Sequence, residues 1–138
     1  IKTDKVVYLS DYAHHPEEIK QSILSMRALY GDKKLTGIFQ PHLYTRTRDF
    51  YQEFAESLSL LDEVILTDIY PARELPIEGV SSQLIYDNLR PGIDKTLCTK
   101  EEVIDILKKK EIEVLMTLGA GDIENYAPQI CEILNERC

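Results

Sequence analysis

Every imidazole in the chain falls close behind an apolar, β-rich run, His14 and His15 after the run at 6–9 and His42 after that at 35–39. Histidine suits proton transfer, phosphate contact or metal ligation near neutral pH. A metal centre is not expected, because adjacent histidines point apart and no spaced set of histidines and carboxylates completes a coordination sphere. The competing reading is three solvated loop histidines. Asp11 directly follows the first run, where an acid can accept hydrogen bonds from ribose hydroxyls. It lies far upstream to cap a helix that starts at Pro16. Arg46 and Arg48 open a second helical stripe, and cations there oppose the helix dipole at about 0.3–1 kcal/mol each. A carboxylate or phosphate docked at that helix start offsets the cost. Two solvated arginines are the plainer alternative. Gly119-Ala120-Gly121-Asp122 follows the last apolar run. It has neither the GxGxxG pattern nor a phosphate-loop lysine, so it reads as a tight strand-to-helix turn with Asp122 available as a cap. The tyrosines, Tyr12 and Tyr44 among them, are expected to pack, and the lysines at 108–110 to form a solvated helix end.

Apolar runs at 6–9, 35–39, 64–66, 96–98 and 114–118 predict five strands, several of them continuous, as when both faces are covered. Helical spacing separates them. Ile19, Ile23, Met26 and Tyr30 share one face behind Pro16-Glu17-Glu18, and Gly31 ends that helix. Phe50, Phe54, Leu58 and Leu61 repeat the stripe. A third helix is predicted over 81–88, stopped before Arg90-Pro91-Gly92. A fourth is announced by Thr99 with Glu102, a capping box. The last runs from about Ile123, with Ala127, Ile130 and Leu134 on one face. Strand and helix alternate throughout, which predicts one α/β domain: a mostly parallel, Rossmann-like sheet with helices on both faces in three αβα layers. Pro71, Pro76 and Gly79 mark a long loop after the third strand. Ligands of such sheets bind beyond the carboxyl ends of the strands. The informative loops are therefore 11–16, 40–47, 68–79 and 119–122.

The chain has 138 residues, of which 43% are hydrophobic and 29% charged, enough for one globular core and no more. Its net charge is −8, so a uniformly basic nucleic-acid binder is excluded. No apolar run approaches the roughly 18 residues of a membrane span. Cys98, Cys131 and Cys138 are widely spaced and odd in number, which predicts a reduced, cytoplasmic chain without disulfides or a zinc site. The chain starts at Ile1 rather than Met, which suggests a piece of something longer.

Four segments occur in order: Asp-Tyr-Ala-His-His-Pro at 11–16, Phe-Gln-Pro-His-Leu-Tyr-Thr-Arg-Thr at 39–47, Tyr-Pro-Ala-Arg-Glu-Leu-Pro-Ile-Glu-Gly-Val at 70–80 and Gly-Ala-Gly-Asp-Ile at 119–123. Together, over essentially the whole chain, they resemble the C-terminal domain of the Mur ligases, and within that family the branch that adds alanine. The resemblance implies ATP-dependent ligation in peptidoglycan precursor synthesis. ATP phosphorylates the carboxylate of UDP-N-acetylmuramate, and the amine of L-alanine attacks the acyl phosphate. The tetrahedral adduct then collapses to an amide with loss of phosphate. It implies an N-terminal domain for the UDP-sugar and a central domain with the phosphate loop and Mg2+, both absent here, with this domain as the closing lid. The fragment alone is then expected to be inactive. By the same resemblance Asp11, Tyr12 and His14 bind the nucleotide, with Asp11 on the ribose. His15, His42, Tyr44, Arg46, Gly119, Gly121 and Asp122 bind substrate, with His42 and Arg46 on the alanine carboxylate. Many members carry Arg where this chain has Leu43, which leaves one cation fewer. The alternatives are a Mur-type ligase with another acceptor, a receiver-like signalling module and a free-standing nucleotide-binding domain. The receiver needs a pair of acids ending the first strand and a lysine ending the last, and Tyr12 and Gly119 stand near those places.

Overall fold

Alternate residues of the central strands feed two apolar layers, one on each side of a five-stranded sheet. The computed structural model describes residues 7–119 and 121–135. Ile1, Val6, Ala120 and Cys138, named above, lie outside these. The strands are β1 (Val7–Asp11), β2 (Leu35–Phe39), β3 (Glu63–Leu66), β4 (Asp94–Leu97) and β5 (Val114–Leu118). They pair in the order β1-β5-β2-β3-β4, all parallel. Val114, Met116 and Leu118 of β5, with Leu35 and Phe39 of β2, face one layer, while Leu115 and Ile38 face the other.

The first layer is closed by α1 (Pro16–Tyr30), α2 (Tyr44–Leu58) and α3 (Gln83–Asp87). The second is closed by α4 (Lys100–Lys109), a 3-10 turn (Asp122–Tyr126) and α5 (Ala127–Asn135). Three successive crossovers run over one face and the return from β4 to β5 over the other, as right-handed connections require. The predicted αβα arrangement is the observed one.

Local signals account for the helix starts. Glu18 Oε1 accepts the His15 amide (3.1 Å) and the His14 amide (3.3 Å), with Pro16 opening α1. In α4, Thr99 and Glu102 cap each other reciprocally at 2.9 and 3.3 Å.

Gly31 ends α1 as expected, in the right-handed region (φ −62°), and a Cβ there would stand 2.8 Å from the Arg27 carbonyl oxygen. Three expectations need correction. The buried face of α2 is Thr47, Phe54 and Leu58 with Tyr51 alongside, whereas Phe50 is 40% exposed and Leu61 lies past the helix end. The last helix begins as a 3-10 turn, since Pro128 near the start of α5 has no N–H to donate to the preceding turn. Lys108 and Lys109 are solvated, but Lys110 turns back to Glu63 (2.6 Å), which Lys34 also meets (3.2 Å).

Candidate functional site

β1 and β2 flank β5, and the chain leaves them toward α1 and α2 while it leaves β5 toward α5. The loops therefore diverge at the carboxyl edge, and the gap between them is where an open α/β sheet accepts ligands. The three histidines meet there. The rings of His14 and His15 lie 4.9 Å apart, and His14 presents an edge-on contact to His42 at 6.2 Å. Tyr12, 58% exposed, stands edge-on to His14 at 6.3 Å. His14 Nδ1 bonds the Tyr12 carbonyl oxygen at 3.1 Å, which requires a proton on that nitrogen.

His42 is the most constrained of the three. Arg46, one helical turn on in α2, places its Nη1 3.0 Å from His42 Nδ1. A guanidinium only donates, so Nδ1 accepts and Nε2 carries the proton. On the other side the Tyr70 ring stacks on the imidazole at 5.6 Å and 15°. Burial, then the Arg46 charge and His14, push the His42 imidazole below the ordinary histidine range, against the opposing pull of Glu74.

The anion expected at the start of α2 is supplied by the chain itself. Glu74 accepts the Thr45 hydroxyl at 2.6 Å and the Thr45 amide at 3.1 Å, and the Tyr44 amide as well. These bonds, the Thr45 hydroxyl first, hold its carboxyl below the usual carboxylate range. Leu43, at the N-cap, has φ 72°, a strained value for a residue with a Cβ. Of the two arginines only Arg46 joins the cluster; Arg48 is exposed and pairs with Asp49 at 2.9 Å.

Asp11 ends β1 with both carboxylate oxygens engaged. Oδ1 accepts the Ala13 amide at 3.0 Å and Oδ2 the Ser22 hydroxyl, which ties the first loop to α1. Gly119 (φ 137°) and Gly121 allow a close approach within the chain. A Cβ on Gly119 would stand 2.7 Å from the Gln40 carbonyl oxygen, and one on Gly121 would strike the Gln40 side chain and stand 2.8 Å from Tyr70 Cβ. Gln40 is buried. Its Nε2 donates to Asp122 Oδ1 at 2.6 Å, and its Oε1 accepts the Ile123 amide at 2.8 Å. Lys100 holds the other Asp122 oxygen. Burial raises the Asp122 carboxyl, but Lys100 and Gln40 outweigh it and hold it below its ordinary range. Asp122 thus opens the 3-10 turn and braces it, rather than capping α5.

Tyr70, Glu74, Gln40 and Lys100 were not among the residues singled out for the site. Gln40, Tyr70 and Glu74 lie within the quoted segments, and Lys100 gave only the weak signal of a cation opening a helix. No group of three or more histidine, cysteine or acidic residues able to hold a metal occurs among the described residues. A cavity of 660 Å³ lies between α1 and α2 and shares only His15 with this cluster. The convergence of imidazole and guanidinium groups makes the carboxyl edge the candidate site.

Residues 1–123 match the family described as Mur ligase, glutamate ligase domain. The chain belongs to the Mur ligase family. It is 77% identical over 137 residues to the UDP-N-acetylmuramate–L-alanine ligase of Phocaeicola vulgatus, covering 99% of this chain and 30% of that one. It is 52% identical over 139 residues to the ligase of the same name from Porphyromonas gingivalis, covering 100% and 30%. The chain thus spans about 30% of the length of these curated Mur ligases. Among solved structures, the UDP-N-acetylmuramate-alanine ligase of Thermotoga maritima superposes with a TM-score of 0.75 at 26% identity, over 96% of this chain and 27% of that one. A separately crystallised domain of a putative UDP-N-acetylmuramate:L-alanyl-γ-D-glutamyl-meso-diaminopimelate ligase from Haemophilus ducreyi shares the fold, with a TM-score of 0.69 at 18% identity over 94% and 92%. No helix among the described residues of this Mur ligase domain is long and apolar enough to cross a membrane.

Proposed function

We propose that this chain is the closing C-terminal domain of an ATP-dependent ligase that joins L-alanine to UDP-N-acetylmuramate through an acyl phosphate. The observation that carries the reading is the meeting of His14, His15, His42 and Arg46 at one sheet edge, in a chain 77% identical to a ligase of that name. The cluster presents donors and positive charge, which suits an anion such as the amino acid's carboxylate. It does not suit magnesium, which takes oxygen ligands in octahedral geometry. Magnesium and the phosphate loop are therefore assigned to the remaining two-thirds of the longer protein, together with the site for the UDP-sugar.

Within this domain the chemistry is positioning and electrostatics. Arg46 gives one of its five donors to His42, and its planar fork is assigned to the L-alanine carboxylate. His42, neutral and protonated at Nε2, donates beside it. Tyr12 and His14 are assigned to the nucleotide. His15, Tyr44 and the backbone from Gly119 to Asp122 are assigned to the acceptor side of the cleft. Asp11 keeps its assignment to the ribose, as an acceptor shared with Ala13 and Ser22.

The deciding experiment is steady-state kinetics of Arg46→Lys in the full-length enzyme, with L-alanine varied at saturating ATP. A lysine cannot reproduce the two parallel hydrogen bonds of the fork. The alanine KM is expected to rise at least tenfold with the ATP KM nearly unchanged, and Leu43→Arg to recover part of that loss. Because Leu43 already holds φ 72°, arginine there brings no new backbone strain. Wild-type alanine dependence in Arg46→Lys would remove the arginine from the site.

A further inference from the structure

We infer that Tyr70 is a positioning residue whose ring holds the His42 imidazole in one plane and one tautomer, with Nε2 reserved to donate to a ligand oxygen. Five observations converge on it. The two rings are stacked, at 5.6 Å and 15°, while the other histidine contacts in the cluster are tilted or edge-on. The backbones of the two residues are bridged: the Tyr70 amide donates to the Pro41 carbonyl at 2.8 Å, and the Leu43 amide to the Tyr70 carbonyl at 2.9 Å. Gly121 packs so closely on Tyr70 that a Cβ there would lie 2.8 Å from Tyr70 Cβ, which fixes the base of the side chain. Four residues on, Glu74 pins the same loop to Thr45. Arg46 then occupies Nδ1 from the remaining side.

A ring held on one face and at one nitrogen cannot turn to exchange its two nitrogens. His42 is thereby kept as a donor and withheld from work as a proton acceptor. The charged and titratable groups facing it are Arg46 from α2, His14 from the loop after β1 and Glu74 from the loop after β3. The inference rests on the proposed function only where the ligand is called a carboxylate. The stack and the tautomer belong to the domain itself, so their failure and the failure of the ligase reading are separable.

The test is nitrogen-15 spectroscopy of the histidine rings in this 138-residue chain, a domain whose fold has been crystallised separately in a relative. Wild type and Tyr70→Phe, which keeps the stacked ring, are expected to show His42 as the Nε2–H tautomer, titrating below about 6.5. Tyr70→Leu keeps the backbone bridge and loses the stack. It is expected to show a mixture of tautomers and a midpoint closer to the ordinary value. An unchanged His42 in Tyr70→Leu overturns the inference, and so does an equal change in Tyr70→Phe, which would assign the effect to the hydroxyl. Should Tyr70→Leu not fold, the wild-type proton spectrum decides. His42 ring protons shifted upfield of those of exposed His15 support the stack, and shifts equal to those of His15 overturn it.

Discussion

Gln40 and Gly121 show how little room the carboxyl edge leaves for substitution. The Gln40 side chain is buried and satisfies the Ile123 amide and one Asp122 oxygen at once. Replacing it with leucine keeps much of the volume but strands a buried N–H, which costs about 1–3 kcal/mol. Urea unfolding of Gln40→Leu should read that loss as a lower midpoint at unchanged slope. Gly121→Ala places a methyl group against the same Gln40 side chain and 2.8 Å from Tyr70 Cβ. Overpacking there is expected to cost about 1–3 kcal/mol. The two losses should not add, because both act through the Gln40 side chain. Simple additivity in the double variant would show that the glycine answers to something other than Gln40.

Two kinds of helix start contrast at the scale of elements. α1 and α4 carry their acids in the first turn, Glu17 and Glu18 in one and Glu101 and Glu102 in the other. α2 has no acid in its first turn and carries Arg46 there, so its cap comes from Glu74, across a loop. The Glu74 carboxyl is held below its ordinary value of 4.5. Its contribution to stability is therefore complete above about pH 4.5 and lost as the pH falls through the depressed folded value. Glu74→Gln should lower the thermal midpoint at pH 7 and shrink the difference between wild type and variant as the pH drops below 4.5. An equal deficit at both pH values would mean that the charge does not act at the cap. His42 runs the same way for a different reason. His42 is held below 6.5, so it favours the folded state above about pH 6.5 and withdraws that support on acidification.

For the whole molecule, acid stability turns on a few buried or half-buried carboxylates. Burial raises the Glu63 carboxyl, but Lys110 and Lys34 outweigh it and hold it below 4.5. Asp62 behaves alike: burial raises it, and the Leu35 amide with Arg27 brings it down. Protonating these groups, with Asp122, removes stability as the pH falls, below about 4.5 for Glu63 and below about 3.8 for Asp62 and Asp122. Acidification from pH 7 first relieves repulsion from a net charge of −8, but below the isoelectric point of about 4.9 the chain turns positive and repulsion grows again. At physiological salt diffuse repulsion is screened beyond about 8 Å, whereas lysines at 2.6 and 3.2 Å from Glu63 are not, so the paired carboxylates win. Stability measured by urea unfolding should fall steadily from pH 5 to pH 3. Glu63→Gln should lower stability at pH 7 by about 1–3 kcal/mol, less than a fully buried pair because both lysines rehydrate. It should also flatten the acid limb, and an acid limb as steep as wild type would place the decisive carboxylates elsewhere.

Local and periodic features were legible in the sequence because they depend on neighbours a few positions apart. The continuous runs at 35–39 and 114–118 declared strands covered on both faces, and Pro16-Glu17-Glu18 and Thr99 with Glu102 declared where helices start. The segments at 11–16, 39–47, 70–80 and 119–123 declared the Mur ligase family, which the match over residues 1–123 bears out. The tertiary structure alone decided which distant groups meet. Insertion of β5 between β1 and β2 brings the loops carrying His14, His42 and Gly119 together at one edge. The return of the loop after β3 sets Tyr70 on His42 and Glu74 on α2, and side chains crossing between elements join Lys110 to Glu63 and Lys100 to Asp122. No periodicity carries such pairings, because they are set by the handedness of crossovers and by which faces pack after the strands are ordered.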